Sequence, residues 1–201
     1  MSGGTMKAMR RLGTALIAVM STVALIASPA EAGELSEAQI RAELGKQATT
    51  TAQLQRQIDL QLKLAPGGKQ INANEVSYDN GKFVVTYASP NSVQAVRASA
   101  DCPSDWFCFY AGQNFNYPRG KLRDCGWQDL WTWGWGDRTR SVDNGSASQI
   151  IFINHYDKGN PGNGHTFDAE LFRLNNWSQK STLAASADRA ADHVNRILGG
   201  C

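Results

Sequence analysis

Cysteine and tryptophan are confined to one half of this 201-residue chain. Residues 33–100 contain neither, whereas residues 101–201 hold all four cysteines and all six tryptophans. So sharp a change of composition predicts a domain boundary near residue 100, with residues 88–100, small and polar with one proline, as a linker. Charged residues make up only 19% of the chain, below the ~25% of average soluble domains, which disfavours a helical bundle.

The first 32 residues have the three parts of a secretory signal. Lys7, Arg10 and Arg11 form a basic start, residues 14–27 are apolar but short for a membrane span, and residues 30–32 read A-x-A. We therefore predict cleavage before Gly33, secretion to the extracellular space and no membrane attachment after signal removal. A membrane anchor is the alternative.

Removal of this signal changes the charge balance of the chain. The whole chain has 20 basic and 18 acidic residues, and residues 33–201 have 17 of each. A neutral mature chain has no basic patch of the kind that indicates nucleic-acid binding. Export also places the four cysteines in an oxidising compartment, where disulfides are expected.

Residues 33–87 predict a helix followed by a β-hairpin. Ser36 and Gln39 have capping-box spacing, and Asn80-Gly81 between two β-rich runs is a strong hairpin signal. The apolar stripe of the helix consists of Leu54, Ile58 and Leu62. A helix and one hairpin are too little for an independent fold, so this segment either packs on the following domain or acts as a propeptide.

Residues 101–201 read mainly as short strands separated by turns. Strands are predicted at residues 106–110, 149–154 and 170–174, which is typical of a sandwich or barrel. A short helix is predicted from Ser186 to Leu198, with Ala190, Val194 and Ile197 on its inner face.

Two stretches within residues 101–175 carry a family resemblance. The first runs from Cys102 to Phe115 and continues with Tyr117-Pro-Arg-Gly; the second, residues 135–144, reads Trp-Gly-Asp-Arg-Thr-Arg-Ser-Val-Asp-Asn. The first looks like the opening of the secreted actinobacterial peptidase inhibitors of family I36. The second resembles the segment that closes a Greek key in crystallins and often binds calcium. The aromatic pair of the crystallin signature matches Tyr110 and Phe115, but Tyr117 stands where its glycine should be.

The resemblance implies a mainly β fold: a βγ-crystallin-like Greek-key sandwich behind an N-terminal helix and hairpin, with a short C-terminal helix. Four cysteines allow three disulfide pairings, and the resemblance implies one of them. The family's first pair corresponds to Cys102 and Cys108, which leaves Cys125 with Cys201.

A substrate-like inhibitor needs a rigid loop that fits a protease cleft. The best candidate is the segment of residues 157–166, in which Asn160, Pro161 and His165 are the candidate contact residues. The Cys-Val pair that forms the family's reactive bond is absent, and no cysteine lies near this segment.

A tryptophan cluster offers a second candidate surface. Trp131, Trp133 and Trp135 alternate along the chain, so a strand would place them on one face. Together with Trp127 they form either core or an exposed aromatic surface for a protein or a glycan.

Metal binding and catalysis have weak support in the sequence. The resemblance makes Asp137 and Ser141 candidate calcium ligands, but Gly136 replaces an acid of the pattern and Arg140 adds positive charge, which favours a structural turn. The histidines, His155, His165 and His193, have no metal-ligand spacing, and no G-x-S-x-G or H-E-x-x-H signature is present. We therefore predict no cofactor, with calcium as the alternative, and no enzymatic activity.

The function implied by the resemblance is that of a secreted, monomeric peptidase inhibitor. It would occupy the active-site cleft of an extracellular metallo- or serine protease non-covalently. The alternative, which depends on the tryptophan cluster, is a binding or antimicrobial module that uses an aromatic surface on cell-wall glycan or on a protein partner.

Overall fold

The computed structural model describes residues 1, 3, 34–90, 99–156, 165–197, 199 and 201. The predicted signal segment, apart from residues 1 and 3, lies outside the described residues, as do Asn160 and Pro161 and the larger part of the predicted linker. The chain divides into two units, Met1–Glu34 and Leu35–Cys201, of which the second is described below. None of the helices within the described ranges has the length and hydropathy needed to cross a membrane.

Two helices open the second unit: α1 (Glu37–Leu44) and α2 (Thr51–Leu64). The predicted capping box is confirmed, because the Ser36 side chain accepts from the Gln39 backbone and the Gln39 side chain accepts from the Ser36 backbone. Thr50 caps the second helix through a hydrogen bond from the Gln53 backbone. The apolar stripe of α2 buries Leu54 and Ile58 completely or nearly so, and Leu62 partly.

The rest of the described chain is mainly antiparallel β-structure. Its strands are β1 (Lys69–Gln70), β2 (Glu75–Tyr78), β3 (Phe83–Thr86), β4 (Phe107–Tyr110), β5 (Arg119–Leu122), β6 (Gly126–Asp129), β7 (Ser141–Asn144), β8 (Gln149–Asn154), β9 (Ala169–Leu174), β10 (Gln179–Lys180) and β11 (His193–Ile197). One sheet has the order β1-β2-β3-β5-β4-β7-β10, and the other has the order β6-β11-β8-β9. The predicted hairpin is confirmed as β2 and β3, joined by a 3₁₀ turn at Asp79–Gly81.

The strand order contains two Greek keys that exchange one strand each. In the first motif, β7, β4 and β5 are neighbours in the larger sheet, whereas β6 lies in the smaller sheet. In the second motif, β11, β8 and β9 are neighbours in the smaller sheet, whereas β10 lies in the larger sheet. Each set of three has the spatial order fourth, first, second, which is that of a Greek key. The exchange ties the two motifs into one sandwich.

The helix and hairpin segment packs on this sandwich. Strand β3 pairs with β5 over four residues, so the hairpin extends the larger sheet. The Phe83 ring stacks on Trp133, with centroids 4.6 Å apart, and on Phe109 at 5.8 Å. Residues of both helices, the hairpin and the Greek keys belong to one buried hydrophobic cluster.

A buried glutamine joins α2 to the Greek-key domain. The Gln61 amide nitrogen donates to the Tyr78 hydroxyl at 3.0 Å and to the Trp133 carbonyl at 2.9 Å. Its oxygen accepts from the Tyr87 hydroxyl at 2.9 Å and from Arg138 Nη1 at 3.1 Å. Gln61 is fully buried, and burial lowers the pKa of the Arg138 guanidinium. The network links segments 77 residues apart in sequence. Because an unpaired buried polar group is costly, separating these segments would lower the stability of the fold.

The predicted C-terminal helix is wrong. Its C-terminal part forms β11, which pairs with both β6 and β8 and so lies inside the second sheet. The preceding residues form turns, and Arg189 has a positive φ of 59° that interrupts any helix there. The apolar spacing of Ala190, Val194 and Ile197 imitates a helix, but pairing on two sides overrides local propensity.

Three tyrosines should resist titration until the protein unfolds in alkali. Burial raises the pKa of Tyr78, raises that of Tyr87 to about 12, and raises that of Tyr110, where Asp101 adds to the effect. Because the folded-state pKa of Tyr87 exceeds that of the unfolded chain, its stabilisation is complete below about pH 10 and is lost as the pH rises towards 12. For Tyr87 alone the loss amounts to about 3 kcal/mol.

Tyrosinate absorbance and near-ultraviolet circular dichroism, followed together above pH 10, test this expectation. The late part of the absorbance change should coincide with loss of the dichroism signal. Complete tyrosine ionisation with the dichroism signal intact would contradict it.

Candidate binding site at the β8–β9 stem

The stem that connects β8 to β9 brings an exposed aromatic pair to the surface. The last ladder pair of the two strands is Asn154 with Ala169. Two residues farther on each side stand Tyr156 and Phe167, with relative exposures of 48% and 37%. They flank the predicted loop, of which residues 157–164 lie outside the described ranges. We call residues 154–156 and 165–169 the β8–β9 stem.

Asp168 holds the two sides of the stem together. Its carboxylate lies 2.5 Å from His155 Nδ1 and 3.2 Å from His165 Nδ1, and it accepts from Trp127 Nε1 at 3.2 Å. Asp168 and His155 directly follow the last ladder pair, so the register of the strands places them side by side. This carboxylate cross-links β6 and both sides of the stem.

All three histidines of the chain surround Trp127. The indole ring lies 3.8 Å from the His165 ring and 3.9 Å from the His193 ring, measured between centroids, and 5.8 Å from that of His155. Asp192 accepts from the His155 backbone and from His193 Nδ1, both at 2.8 Å. Sequence spacing missed this cluster, because Trp127 and His193 come from separate strands and His155 and His165 lie outside the strands. The pairing of β6 and β8 with β11 is the signal that could have found it.

The tryptophans that alternate along the chain do not share one face. Residues Leu130–Trp133 form a 3₁₀ turn, capped by Asp129 and ended by Gly134 at a φ of 66°. Trp133 and Trp135 are buried, so the predicted aromatic surface loses both of them. Trp131 is 40% exposed, and its ring packs against the Arg41 guanidinium at 4.4 Å.

Both predicted disulfides are confirmed. Cys102 is bonded to Cys108, and Cys125 to Cys201. The first connects the entry of β4 to its second residue, and the second ties the last residue of the chain to the start of β6. No cysteine among the described residues is free.

The two candidate calcium ligands, Ser141 and Asp137, lie in different surroundings. The Ser141 hydroxyl is buried, donates to the Gly112 carbonyl at 2.7 Å and accepts from the Phe115 backbone at 3.0 Å, which folds residues 112–115 back over β7. Burial, with a further contribution from Asp192, raises the pKa of Asp137, while Arg41 opposes the rise. Among the described His, Cys, Asp and Glu residues, Asp137 belongs to no group of three placed to share an ion.

Comparison with known proteins gives matches of structure only. No protein-family model and no curated protein matches the chain. A solved domain from work on the evolution of the eye lens βγ-crystallin domain fold is 19% identical and has a TM-score of 0.39, with 49% of this chain and 91% of that chain covered. Spherulin 3a from Physarum polycephalum is 17% identical, with a TM-score of 0.38 and coverage of 51% and 93%.

The strand pairing itself carries the assignment of fold. Two Greek keys exchange their third strands, and a serine hydroxyl holds the folded segment of the first motif against β7. Residues 101–201 therefore have a βγ-crystallin-like fold, to which the preceding helices and hairpin are added.

Proposed function

We propose that the chain is a secreted, non-enzymatic peptidase inhibitor that contacts the cleft of a protease through its β8–β9 stem. The observation that supports it is the Asp168 cross-link between the two sides of the stem, beside exposed Tyr156 and Phe167. The resemblance to family I36 supports the same class, and two disulfides suit an oxidising, extracellular compartment.

The cross-link addresses the main difficulty in the sequence, which is the missing disulfide at this loop. Inhibitors bind tightly when the contact segment is already held in its bound arrangement, because less conformational entropy is lost. Hydrogen bonds from His155 and Trp127 to the Asp168 carboxylate, with His165 Nδ1 3.2 Å from the same carboxylate, hold the two sides of the stem together in place of a covalent bridge.

The aromatic pair supplies the contact surface. Tyrosine and phenylalanine offer large, rigid contact areas at low entropic cost, and a few such residues dominate the binding energy of many interfaces. Tyr156 is itself held by a hydrogen bond of 2.6 Å between Asn154 Nδ2 and its hydroxyl.

Inhibition of a panel of extracellular metallo- and serine proteases tests the proposal. The secreted chain should inhibit at least one of them with one-to-one stoichiometry. Tyr156→Ala and Phe167→Ala should each raise the inhibition constant about tenfold or more, because loss of a hot-spot aromatic removes at least about 1.4 kcal/mol of binding free energy.

Trp177→Ala is the matched control, since Trp177 is 59% exposed but lies beyond the other end of β9. It should leave inhibition unchanged. Failure to inhibit any protease, combined with cell-wall glycan binding that Trp131→Ala or Trp127→Ala abolishes, would instead favour the glycan-binding module.

A further inference from the structure

We infer that His155, His165 and Asp168 form a binding site for a divalent transition metal of the Zn²⁺ class. One ligand atom from each of these side chains can be chosen so that all of them lie within 4.8 Å of one another. No other such group of three occurs among the described His, Cys, Asp and Glu residues. The proposal does not depend on peptidase inhibition.

The chemistry of the donors selects the metal. Two imidazole nitrogens and one carboxylate oxygen suit Zn²⁺, Co²⁺, Ni²⁺ or Cu²⁺, whereas Ca²⁺ prefers six to eight oxygens. Tetrahedral Zn²⁺ with bonds of about 2.0–2.2 Å separates its ligand atoms by about 3.3 Å. His155 Nδ1 and Asp168 Oδ1, which are 2.5 Å apart, must therefore separate, and ligand atoms up to 4.8 Å apart must close. His165 can make that adjustment, because 56% of its side chain is exposed.

The surroundings of the site have the features of an outer ligand shell. Trp127 Nε1 donates to Asp168 Oδ2, which orients the carboxylate. Asp192 accepts from the His155 backbone N–H and fixes that residue at the end of β8. Outer-shell hydrogen bonds of this kind hold ligands in the geometry that a metal requires. The set supplies three protein ligands, which leaves a fourth position for water or for a donor from a bound partner.

Isothermal titration of the full secreted chain with ZnCl₂ tests the site, after treatment with EDTA and without a histidine tag. One ion per chain should bind, Co²⁺ should give the visible absorption of a tetrahedral complex, and CaCl₂ should not compete. His165→Ala is the principal variant because its exposed side chain can be removed without disturbing the core. It should weaken Zn²⁺ binding by more than the about 10- to 100-fold that loss of an outer-shell partner causes.

Two further variants separate ligands from neighbours. Trp127→Phe keeps an aromatic ring but removes the donor to Asp168, and should weaken binding by about tenfold. Glu170→Gln alters an exposed carboxylate two residues from Asp168 that pairs with Arg173, and should leave affinity unchanged. Absence of saturable one-to-one binding, or equal affinity in wild type and His165→Ala, would overturn the proposal and leave the three residues as a hydrogen-bonded clamp only.

Discussion

Replacing Cys125 and Cys201 by serine should lower the free energy of unfolding by about 4 kcal/mol. The bond closes a loop with a sequence separation of 76 residues, and its removal restores that much conformational entropy to the unfolded chain. Both cysteines are exposed, so the substitutions leave no cavity. Urea denaturation of the variant and of the wild type under non-reducing conditions gives the difference.

The single and double variants together provide the control for this effect. Cys125→Ser, Cys201→Ser and the double variant each abolish the same bond, so their losses should be equal rather than additive. Two results would show that loop closure is not what this bond contributes. One is a decrease in the free energy of unfolding of the double variant twice that of either single variant, and the other is a decrease under about 1 kcal/mol in all three variants.

Gln61→Leu should destabilise the chain by about 3–5 kcal/mol, the cost of breaking a buried network around a charge. Leucine nearly matches the volume of glutamine but leaves the Tyr87 hydroxyl without its acceptor and removes one of the two acceptors of Arg138 Nη1, the other being the Gly134 carbonyl. Thermal and urea unfolding, followed by tryptophan fluorescence, measure the loss.

Gln55→Leu is the matched control for Gln61→Leu. Gln55 lies on the same helix but is exposed, and it bonds only to the surface side chains of Asp59 and Gln70 in the described structure. It should change the free energy of unfolding by less than about 0.5 kcal/mol. Equal stability losses for the two variants would mean that Gln61 contributes no more than a surface residue.

Local signals predicted much of the fold. The Ser36 cap, the turn at Asn80-Gly81 and the apolar run at residues 149–154 each act over a few residues, and each appears in the structure as expected. The resemblance gave the Greek keys and the disulfide pairing. The cap, the turn and the strand depend on local conformation, whereas the pairing of Cys125 with Cys201, 76 residues apart, follows from the resemblance once Cys102 is paired with Cys108.

The errors came where distant pairing decides the conformation. Val194 lies in a strand because β6 and β8 offer hydrogen bonds on both sides of it. Trp131 and Trp133 form a turn because Asp129 caps it and Gly134 supplies a positive φ, so alternation in sequence does not mean alternation across a strand. His155, His165 and His193 meet only through the folded sheet, and no spacing rule could bring them together.

The pairing of β3 with β5 has a consequence for association between chains. Without the hairpin, β5 would be the outermost strand of its sheet and would present unpaired backbone groups, which act as a template for strand addition from another molecule. The hairpin satisfies those groups within the same chain and moves the open edge to β1, a strand of only two residues. The segment before the Greek keys therefore covers the edge of β5 and leaves only a two-residue strand at that edge for pairing with another molecule.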